Sequence, residues 1–250
     1  MDKIIEQYFD FGVMFDSGNF DKVIDGFVFT IKLSIIAGIL SLIWGLVLAI
    51  LRQTPGRASW VVRWPTIAYI DVFRGVPALL TILIVSGSLG ALSFGDGAPL
   101  PRFIGVPDWF GQPAPFWYGT IAITLTYGAY MAEVYRAGIE AVPGGQMEAA
   151  RSLGMSYGKA MRFVIVPQAI RKVIPPLLND YIALMKDTTL VSVIGLIEVV
   201  QAGRDIQSET LNSSALMLGA ILFVLVTIPL ARLVDWMIAR QQAQTQRGAA

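Results

Sequence analysis

The sequence predicts an all-α integral membrane protein with five transmembrane helices, an N-terminus outside the cytoplasm and a C-terminus in the cytoplasm. Apolar residues make up 55% of the 250 residues, and charged residues only 15%. Several apolar stretches are close to or above the roughly 20 residues that an α-helix needs to cross the hydrocarbon core. The basic residues between these stretches agree with one orientation under the positive-inside rule.

The N-terminal segment, residues 1–25, is acidic and aromatic. Its six carboxylates are accompanied by only two lysines, so it lacks the basic start of a signal peptide. Aromatic residues among the acids favour a segment that lies at the membrane interface, and a loosely ordered tail is the alternative. The charged residues are Asp2, Lys3, Glu6, Asp10, Asp16, Asp21, Lys22 and Asp25.

The predicted spans are residues 27–51, 76–92, 116–134, 173 to about 200, and 215–238. They form a single transmembrane domain over residues 26–239, followed by a polar cytoplasmic tail, residues 240–250. Gly38 and Gly45 share one face of the first span, where a second helix can approach closely. The loops after the first and third spans carry ten basic residues and are predicted to be cytoplasmic. These are Arg52, Arg57, Arg63, Arg74, Arg136, Arg151, Lys159, Arg162, Arg171 and Lys172.

The loop over residues 90–115 is rich in Gly and Pro, contains Asp96 and Asp108, and is predicted to lie outside the cytoplasm. Trp109 and Phe110 stand where the chain returns to the membrane. We interpret them as part of an interfacial aromatic belt. A docking site for an external partner is the alternative.

The fourth span is unusually polar for a transmembrane segment. Asp180 and Asp187 are seven residues apart, which places them on one helix face about 10 Å apart, with Ala183 between them. Polar groups at this depth are tolerated against protein or a watery cavity, and broken helices there often hold the substrates of transporters. We therefore predict that the two carboxylates bind a cationic group of a substrate. Alternatively, Asp187 caps a helix break, and Lys186 or Arg171 neutralises one carboxylate.

Other polar groups in the spans have structural alternatives. The hydroxyls of Thr188, Thr189 and Ser192 can ligate a substrate carboxylate or donate to nearby helix carbonyls. Glu133 and Arg136 are three residues apart and are predicted to form a structural ion pair. Arg74, at the cytoplasmic end of the second span, is interpreted as a residue of topology and packing.

The polar loop over residues 143–167 is predicted to form two short helices with an elbow at Gly154. Met147 to Arg151 are good helix formers, and Ser156 can cap the second helix, which runs towards Pro167. We interpret this compact element as a docking surface.

The composition excludes several kinds of site. The chain contains neither His nor Cys, so it has no His- or Cys-ligated metal site, disulfide or Cys or His nucleophile. The net charge of +1 and the absence of a basic stripe argue against nucleic-acid binding. A glycine-rich phosphate-binding loop is also absent, so the chain alone is not expected to hydrolyse ATP or to hold a cofactor.

The spacing in the cytoplasmic loop resembles the EAA loop of the membrane subunits of bacterial ABC importers. Glu148, Ala149 and Ala150 are followed after three residues by Gly154, and after nine more by Val164-Ile165-Val166-Pro167. Further stretches resemble the polar amino acid permease family, which handles histidine, glutamine, glutamate, arginine and opines. These are 73–77, 132–139, Gly145-Gln146, Pro167-Gln168-Ala169 and Lys186-Asp187-Thr188-Thr189-Leu190, where Thr189 replaces the commoner Ser.

The resemblance implies a permease subunit in the bacterial cytoplasmic (inner) membrane. It implies a second identical or homologous permease, two ATPase subunits that bind ATP and Mg, and an extracytoplasmic binding protein that delivers a polar amino acid. Glu148 to Gly154 would be the coupling helix seated on the ATPase. A basic or neutral polar substrate is favoured, because a third carboxylate near Asp180 would be repelled.

An ion-coupled secondary transporter or a channel for small polar solutes is the alternative function. Secondary transporters often contain two repeated halves, and no such repeat is found among the five predicted spans. The cytoplasmic loop would then need a different purpose.

Overall fold

The computed structural model of the chain describes residues 7–54, 56, 59–93 and 99–247. These residues form helices, turns and loops, with no strand among them, which confirms the all-α prediction. Some of the features named above lie outside the described residues: Asp2, Lys3, Glu6, Arg57, Asp96 and the end of the tail, residues 248–250.

Eight helices of two or more turns organise the described chain. They are α1 Ser17–Arg52, α2 Trp60–Gly75, α3 Ala78–Ala91, α4 Ala114–Glu140, α5 Gly144–Ser152, α6 Val166–Asp187, α7 Val199–Thr210 and α8 Ser214–Arg247. The shorter elements are single α-turns at Phe11–Met14, Arg102–Gly105 and Tyr157–Ala160, 3-10 helices at Trp109–Gly111 and Thr188–Ile194, and a π-helix at Met161–Ile165.

Two of the described helices, α1 and α8, are long and apolar enough to cross a membrane. A third candidate is the pair α2 and α3, which is bent by 111° at its junction. The bend falls where Val76 is held extended before Pro77, as a residue that precedes proline prefers. Helix α3 lies within the predicted span over residues 76–92, whereas the bend that precedes it was not predicted. Alone, α3 is about 21 Å long, against about 30 Å of hydrocarbon core.

Helix α4 lies at the centre of the fold and contacts α1, α2, α3 and α6. Its side chains Phe116, Ile123 and Met131 are buried in the main apolar cluster, with Leu33 of α1 and Leu184 of α6. Because its neighbours are protein helices, α4 can carry threonines, tyrosines and glycines that lower its apolar character. Helix α4, which contains the predicted third span, is therefore less apolar than α1 and α8 and is not among the described helices that are apolar enough to cross a membrane.

Glycines allow the close approach of these helices. A Cβ at Gly45 would lie 2.8 Å from Met131 Cβ, and one at Gly38 would lie 2.9 Å from the ring of Tyr181. The predicted role of these two glycines is confirmed. Helix α1 is thereby tied to α4 through Gly45 and to α6 through Gly38.

The opposite face of α1 presents apolar side chains outward. Ile39, Ile43 and Ile50 are each more than half exposed, and Leu225 and Ile228 on α8 are similar. Exposed apolar surface of this extent indicates contact with lipid or with another subunit.

The polar loop forms the predicted elbow. Helix α5 ends at Ser152, Gly154 has φ +80°, and Ser156 Oγ accepts from the Lys159 amide at 3.4 Å. The second helix does not stop at Pro167, however. It continues without a break through the π-helical turn into α6 and ends at Asp187. Pro167 directly follows the π-helical turn Met161–Ile165, where the regular α-helical hydrogen-bond pattern is already altered.

The predicted interruption of the fourth span is present after Asp187. The chain forms the 3-10 helix Thr188–Ile194 and turns at Gly195, with φ +85°. Glu198 then caps α7, because its Oε1 accepts from the amides of Val200 at 2.9 Å and Gln201 at 3.0 Å. Helix α7, with one buried apolar face, was not predicted.

Candidate functional site

A cavity of about 400 Å³ opens between the α2–α3 corner, α4 and α6. Asp180, Ala183 and Asp187 line it from α6, so the predicted shared face of the two carboxylates is present. The remaining lining residues are Arg74, Gly75, Val76, Pro77, Ala78, Thr126, Tyr127 and Tyr130.

The two carboxylates have different surroundings. Asp187 Oδ2 accepts a hydrogen bond of 2.8 Å from the Tyr127 hydroxyl. Asp180 Oδ2 is buried and has no hydrogen-bond partner among the described residues, and the same is true of Thr126 Oγ1. Buried polar atoms are rarely left unpaired in proteins. The cavity therefore offers unused hydrogen-bonding capacity at Asp180 and Thr126, whereas Asp187 already has a partner.

The bend at Pro77 places the side chain of Arg74, which is positively charged, at the same cavity. Arg74 lies at the end of α2, its guanidinium carbon 5.8 Å from the centroid of the Tyr130 ring. The Tyr130 hydroxyl donates to the Arg74 carbonyl at 3.2 Å. From the sequence, Arg74 was interpreted as a residue of topology and packing, and its place in the lining of this cavity was not predicted. Tyr127 and Tyr130 were also missed, although two tyrosines three residues apart in an apolar span were an available signal.

The three hydroxyl residues named with the carboxylates do not line this cavity. Thr188 donates to the Met185 carbonyl at 2.6 Å, Thr189 to that of Lys186 at 2.8 Å, and Ser192 to that of Thr189 at 2.8 Å. Thr189 instead lines a separate cavity of about 250 Å³ that faces α7 and α8. The role of Thr188, Thr189 and Ser192 as substrate ligands stays a prediction.

The predicted coupling surface, called the coupling surface below, consists of α5 and the elbow that follows it. Glu148, Ala149 and Gly154 are exposed, whereas Ala150, on the inner face of α5, is buried. Leu153, which sequence reasoning missed, is 84% exposed. A surface that exposes both a leucine and the carboxylate of Glu148 suits a partner with an apolar groove and basic residues. The role of these residues in coupling stays a prediction.

Helix α5 is attached to α6 by apolar and polar contacts. Val142, Ile165 and Ala169 form a small buried cluster on which Met147 of α5 packs. Gln168 Nε2 donates to Gln146 Oε1 at 3.3 Å. Because α6 also carries Asp180 and Asp187, one helix joins the coupling surface to the cavity.

An ion-pair network joins α1 to α4 at the end of α4 that precedes α5. Arg136 Nε lies 2.9 Å from Glu133 Oε2, so the predicted pair is present. Glu133 also pairs with Arg52 of α1, and Arg136 pairs with Glu140.

The family described as the binding-protein-dependent transport system inner membrane component matches residues 41–243. The chain belongs to this family. The predicted ABC permease is confirmed: the chain is a transport subunit rather than an enzyme, and it is a multi-pass protein of the cytoplasmic membrane.

Two relatives of this permease come from Bacillus subtilis (strain 168). The arginine transport system permease protein ArtQ is 33% identical over 210 residues, which cover 82% of this chain and 86% of ArtQ. The probable glutamine ABC transporter permease protein GlnM is 34% identical over 229 residues, which cover 91% of this chain and 96% of GlnM.

Solved structures share the fold of the permease. The crystal structure of an amino acid ABC transporter with histidines matches with a TM-score of 0.75 and 31% identity, over 88% of this chain and 94% of that one. The inward-facing MetNI methionine ABC transporter matches with a TM-score of 0.65 and 18% identity, over 89% of this chain and 99% of that one. The latter likeness concerns the fold alone.

Proposed function

We propose that this permease moves a polar amino acid through an ATP-driven importer. The observation that carries the proposal is the cavity that combines the guanidinium of Arg74 with an Asp180 oxygen that has no hydrogen-bond partner among the described residues. A free amino acid presents an ammonium and a carboxylate, and the cavity offers a group of opposite charge to each. The names of the relatives, which refer to arginine and glutamine transport, support the same substrate class.

The charges of the cavity favour a basic or neutral polar side chain. Two carboxylates and one guanidinium line it. If Arg74 binds the substrate carboxylate, Asp180 is left to the ammonium or to a cationic side chain. An acidic side chain would add a third carboxylate to the cavity, where like charges repel. The predicted roles of Asp187, Thr188, Thr189 and Ser192 are then secondary to that of Asp180.

The importer would contain several further subunits, including two ATPase subunits, which bind ATP and Mg. Each ATPase would contact the coupling surface of one permease at Glu148, Ala149, Ala150 and Gly154. A second identical or homologous permease would cover part of the apolar exterior. An extracytoplasmic binding protein would deliver the amino acid. The exposure of Glu148 and Leu153 supports the ATPase contact.

The proposed topology has five crossings of the membrane. They are α1, the bent pair α2–α3, α4, α6 and α8, with the N-terminus outside and the C-terminus in the cytoplasm. Residues 26–239 form the permease domain, the segment 1–25 lies outside, and the tail 240–250 is cytoplasmic. The exposed basic residues Arg151, Lys159, Arg162 and Arg171, all near α5, support a cytoplasmic position for that end.

Reconstitution into proteoliposomes tests the proposed function. The permease is purified with its ATPase, and ATP is supplied on the ATPase side. The binding protein and a labelled amino acid are supplied on the other side. We expect uptake that requires ATP, the ATPase and the binding protein together. Uptake by the permease alone, driven by an imposed ion gradient or running down the solute gradient, would instead indicate a secondary transporter or a channel.

A further inference from the structure

Phe110 and Leu211 are the two non-glycine residues with positive φ in the described part of the chain, at 54° and 53°. L-residues with a Cβ avoid this left-handed conformation. Both side chains are large and apolar, yet Phe110 is 91% exposed and Leu211 81% exposed. Neither the strain nor the exposure is offset by burial within the chain. Leu211 is the left-handed cap of α7, a position that is usually glycine. Large apolar residues in this conformation cluster at functional sites.

The loop around Phe110 has a defined conformation. The Trp117 indole in the first turns of α4 donates to the Trp109 carbonyl at 3.0 Å. The Gly111 amide donates to the Asp108 carbonyl at 3.2 Å, and Gly111 has φ +69°. The Phe110 ring lies 6.1 Å from that of Trp117. These contacts hold Phe110 at the tip of the loop.

The turn around Leu211 is fixed in a comparable way. The Leu211 amide donates to the Gln207 carbonyl at 2.8 Å, and the Leu211 carbonyl accepts from Gln7 Nε2 at 3.1 Å. The Ser213 amide donates to the Gln7 carbonyl at 2.9 Å. Leu211 therefore projects from a polar, hydrogen-bonded turn, a setting typical of water rather than of the hydrocarbon core.

Both residues lie at the end of the bundle opposite the coupling surface. Phe110 precedes the start of α4, whose other end leads into α5. Helix α6 leaves the α5 region, and Val191 beyond its end packs on Gly119, near the start of α4. Leu211 follows α7 and lies near the start of α1, since Glu209 pairs with Lys22, whereas Arg52 at the other end of α1 pairs with Glu133 near the end of α4. In the proposed topology this end of the bundle lies outside the cytoplasm.

The two sites share a charge pattern. Exposed Asp108 lies two residues before Phe110, and exposed Glu209 lies two residues before Leu211. Glu209 pairs with Lys22 of α1 at 3.5 Å, and its side chain is still 60% exposed. Each site thus offers an apolar side chain beside a carboxylate. A partner with apolar pockets flanked by basic residues would match both sites. Lipid headgroups would require neither a fixed, strained backbone nor this repeated pairing.

We propose that Phe110 and Leu211 are docking contacts for the extracytoplasmic binding protein on which this family depends. The proposal rests on the proposed function, which supplies both the partner and the side of the membrane. Bound, each side chain fills an apolar pocket of the binding protein, and the defined backbone conformation reduces the ordering needed on binding.

Glycine substitutions test this proposal, because glycine removes the side chain and also relieves the strain. Phe110→Gly, Leu211→Gly and the double variant are reconstituted with the ATPase in nanodiscs. The binding-protein concentration that gives half-maximal stimulation of ATP hydrolysis is then measured. We expect it to rise about tenfold for each single variant, a loss of about 1.4 kcal/mol of binding free energy. Basal hydrolysis and thermal stability should not fall.

Controls separate docking from folding and from membrane contact. Ile228→Ala removes an exposed apolar group from α8 and should leave half-maximal stimulation unchanged. Leu211→Asn removes the apolar side chain but introduces a residue that tolerates the left-handed conformation. It should therefore weaken docking as Leu211→Gly does. If the double variant needs the same binding-protein concentration for half-maximal stimulation as the wild type, the proposal is overturned. That result is expected if the two side chains contact the bilayer instead. If the wild-type complex responds to no binding protein, the proposed function fails with it.

Discussion

The hydroxyl of Tyr127 lies 2.8 Å from Asp187 Oδ2, while Asp180, seven residues earlier on the same helix face, keeps a buried oxygen without a partner in the described structure. The two carboxylates therefore have different surroundings. Asp187 connects α6 to the central helix α4, and Asp180 is available to a ligand.

Tyr127→Phe tests the structural task of Asp187. Loss of the hydroxyl leaves a carboxylate without its donor, so we expect the free energy of unfolding to fall by about 1–3 kcal/mol. Thermal unfolding of the solubilised permease measures this loss. Tyr135→Phe removes a hydroxyl that donates to the Leu42 carbonyl outside this cavity, and serves as the matched control. Equal melting temperatures for wild type and Tyr127→Phe would show that the pair does not stabilise the fold.

Gln146 and Gln168 should act together in coupling. Their hydrogen bond joins α5 to the helix that carries Asp180 and Asp187. A net hydrogen bond contributes about 1 kcal/mol, so we expect Gln168→Ala to raise the ATP hydrolysed per amino acid transported by roughly fivefold. Hydrolysis and uptake are measured in the same proteoliposomes.

The double variant decides whether the two glutamines act through their mutual contact. If they do, Gln146→Ala in the Gln168→Ala background should add little further uncoupling. Fully additive effects would indicate that each residue acts separately.

Glu198 is predicted to secure α7 against α1. Its side chain accepts from the Val200 and Gln201 amides and contacts Thr30 of α1, and the residue is 1% exposed. Glu198→Ala should lower the free energy of unfolding by about 2 kcal/mol, because it removes a helix cap and leaves buried donors unpaired. Glu198→Gln keeps an acceptor oxygen and should lose less. Identical melting temperatures for the two variants would contradict a capping role.

Gly154 and Glu148 should be required for binding of the ATPase. A β-branched residue is strained at φ +80°, so Gly154→Val should distort the elbow while the spans stay folded. Glu148→Lys reverses an exposed charge. We expect both variants to reach the membrane and to lose the ATPase during co-purification.

Gly158 provides a control for Gly154. A Cβ at either position meets open space, but only Gly154 has a positive φ. Gly158→Ala should therefore retain the ATPase. Normal recovery of the ATPase with Gly154→Val would mean that the elbow is not needed for docking.

Local patterns predicted several parts of the structure from the sequence. The seven-residue spacing placed Gly38 and Gly45 on a contact face, the three-residue spacing paired Glu133 with Arg136, and Gly154 marked the elbow. In each case a few residues on one element determine the result.

The parts that sequence reasoning missed depend on contacts between distant residues. Hydropathy does not encode the 111° bend that brings Arg74 to the cavity, or the pairing of Tyr127 with Asp187 across 60 residues. The continuous helix from Tyr157 to Asp187 was not predicted either, because the sequence indicated only a second helix that runs towards Pro167. Hydropathy gives no sign of the π-helical turn Met161–Ile165 that precedes the proline.

Transport by Asp180→Asn tests the substrate cavity most directly. Wild type and variant are reconstituted with the same ATPase and binding protein, and uptake of a labelled cationic amino acid is measured together with ATP hydrolysis. Loss of the carboxylate charge should reduce uptake by about tenfold or more, with hydrolysis within about twofold of wild type. Unchanged uptake kinetics in Asp180→Asn would contradict the assignment of this cavity to the substrate.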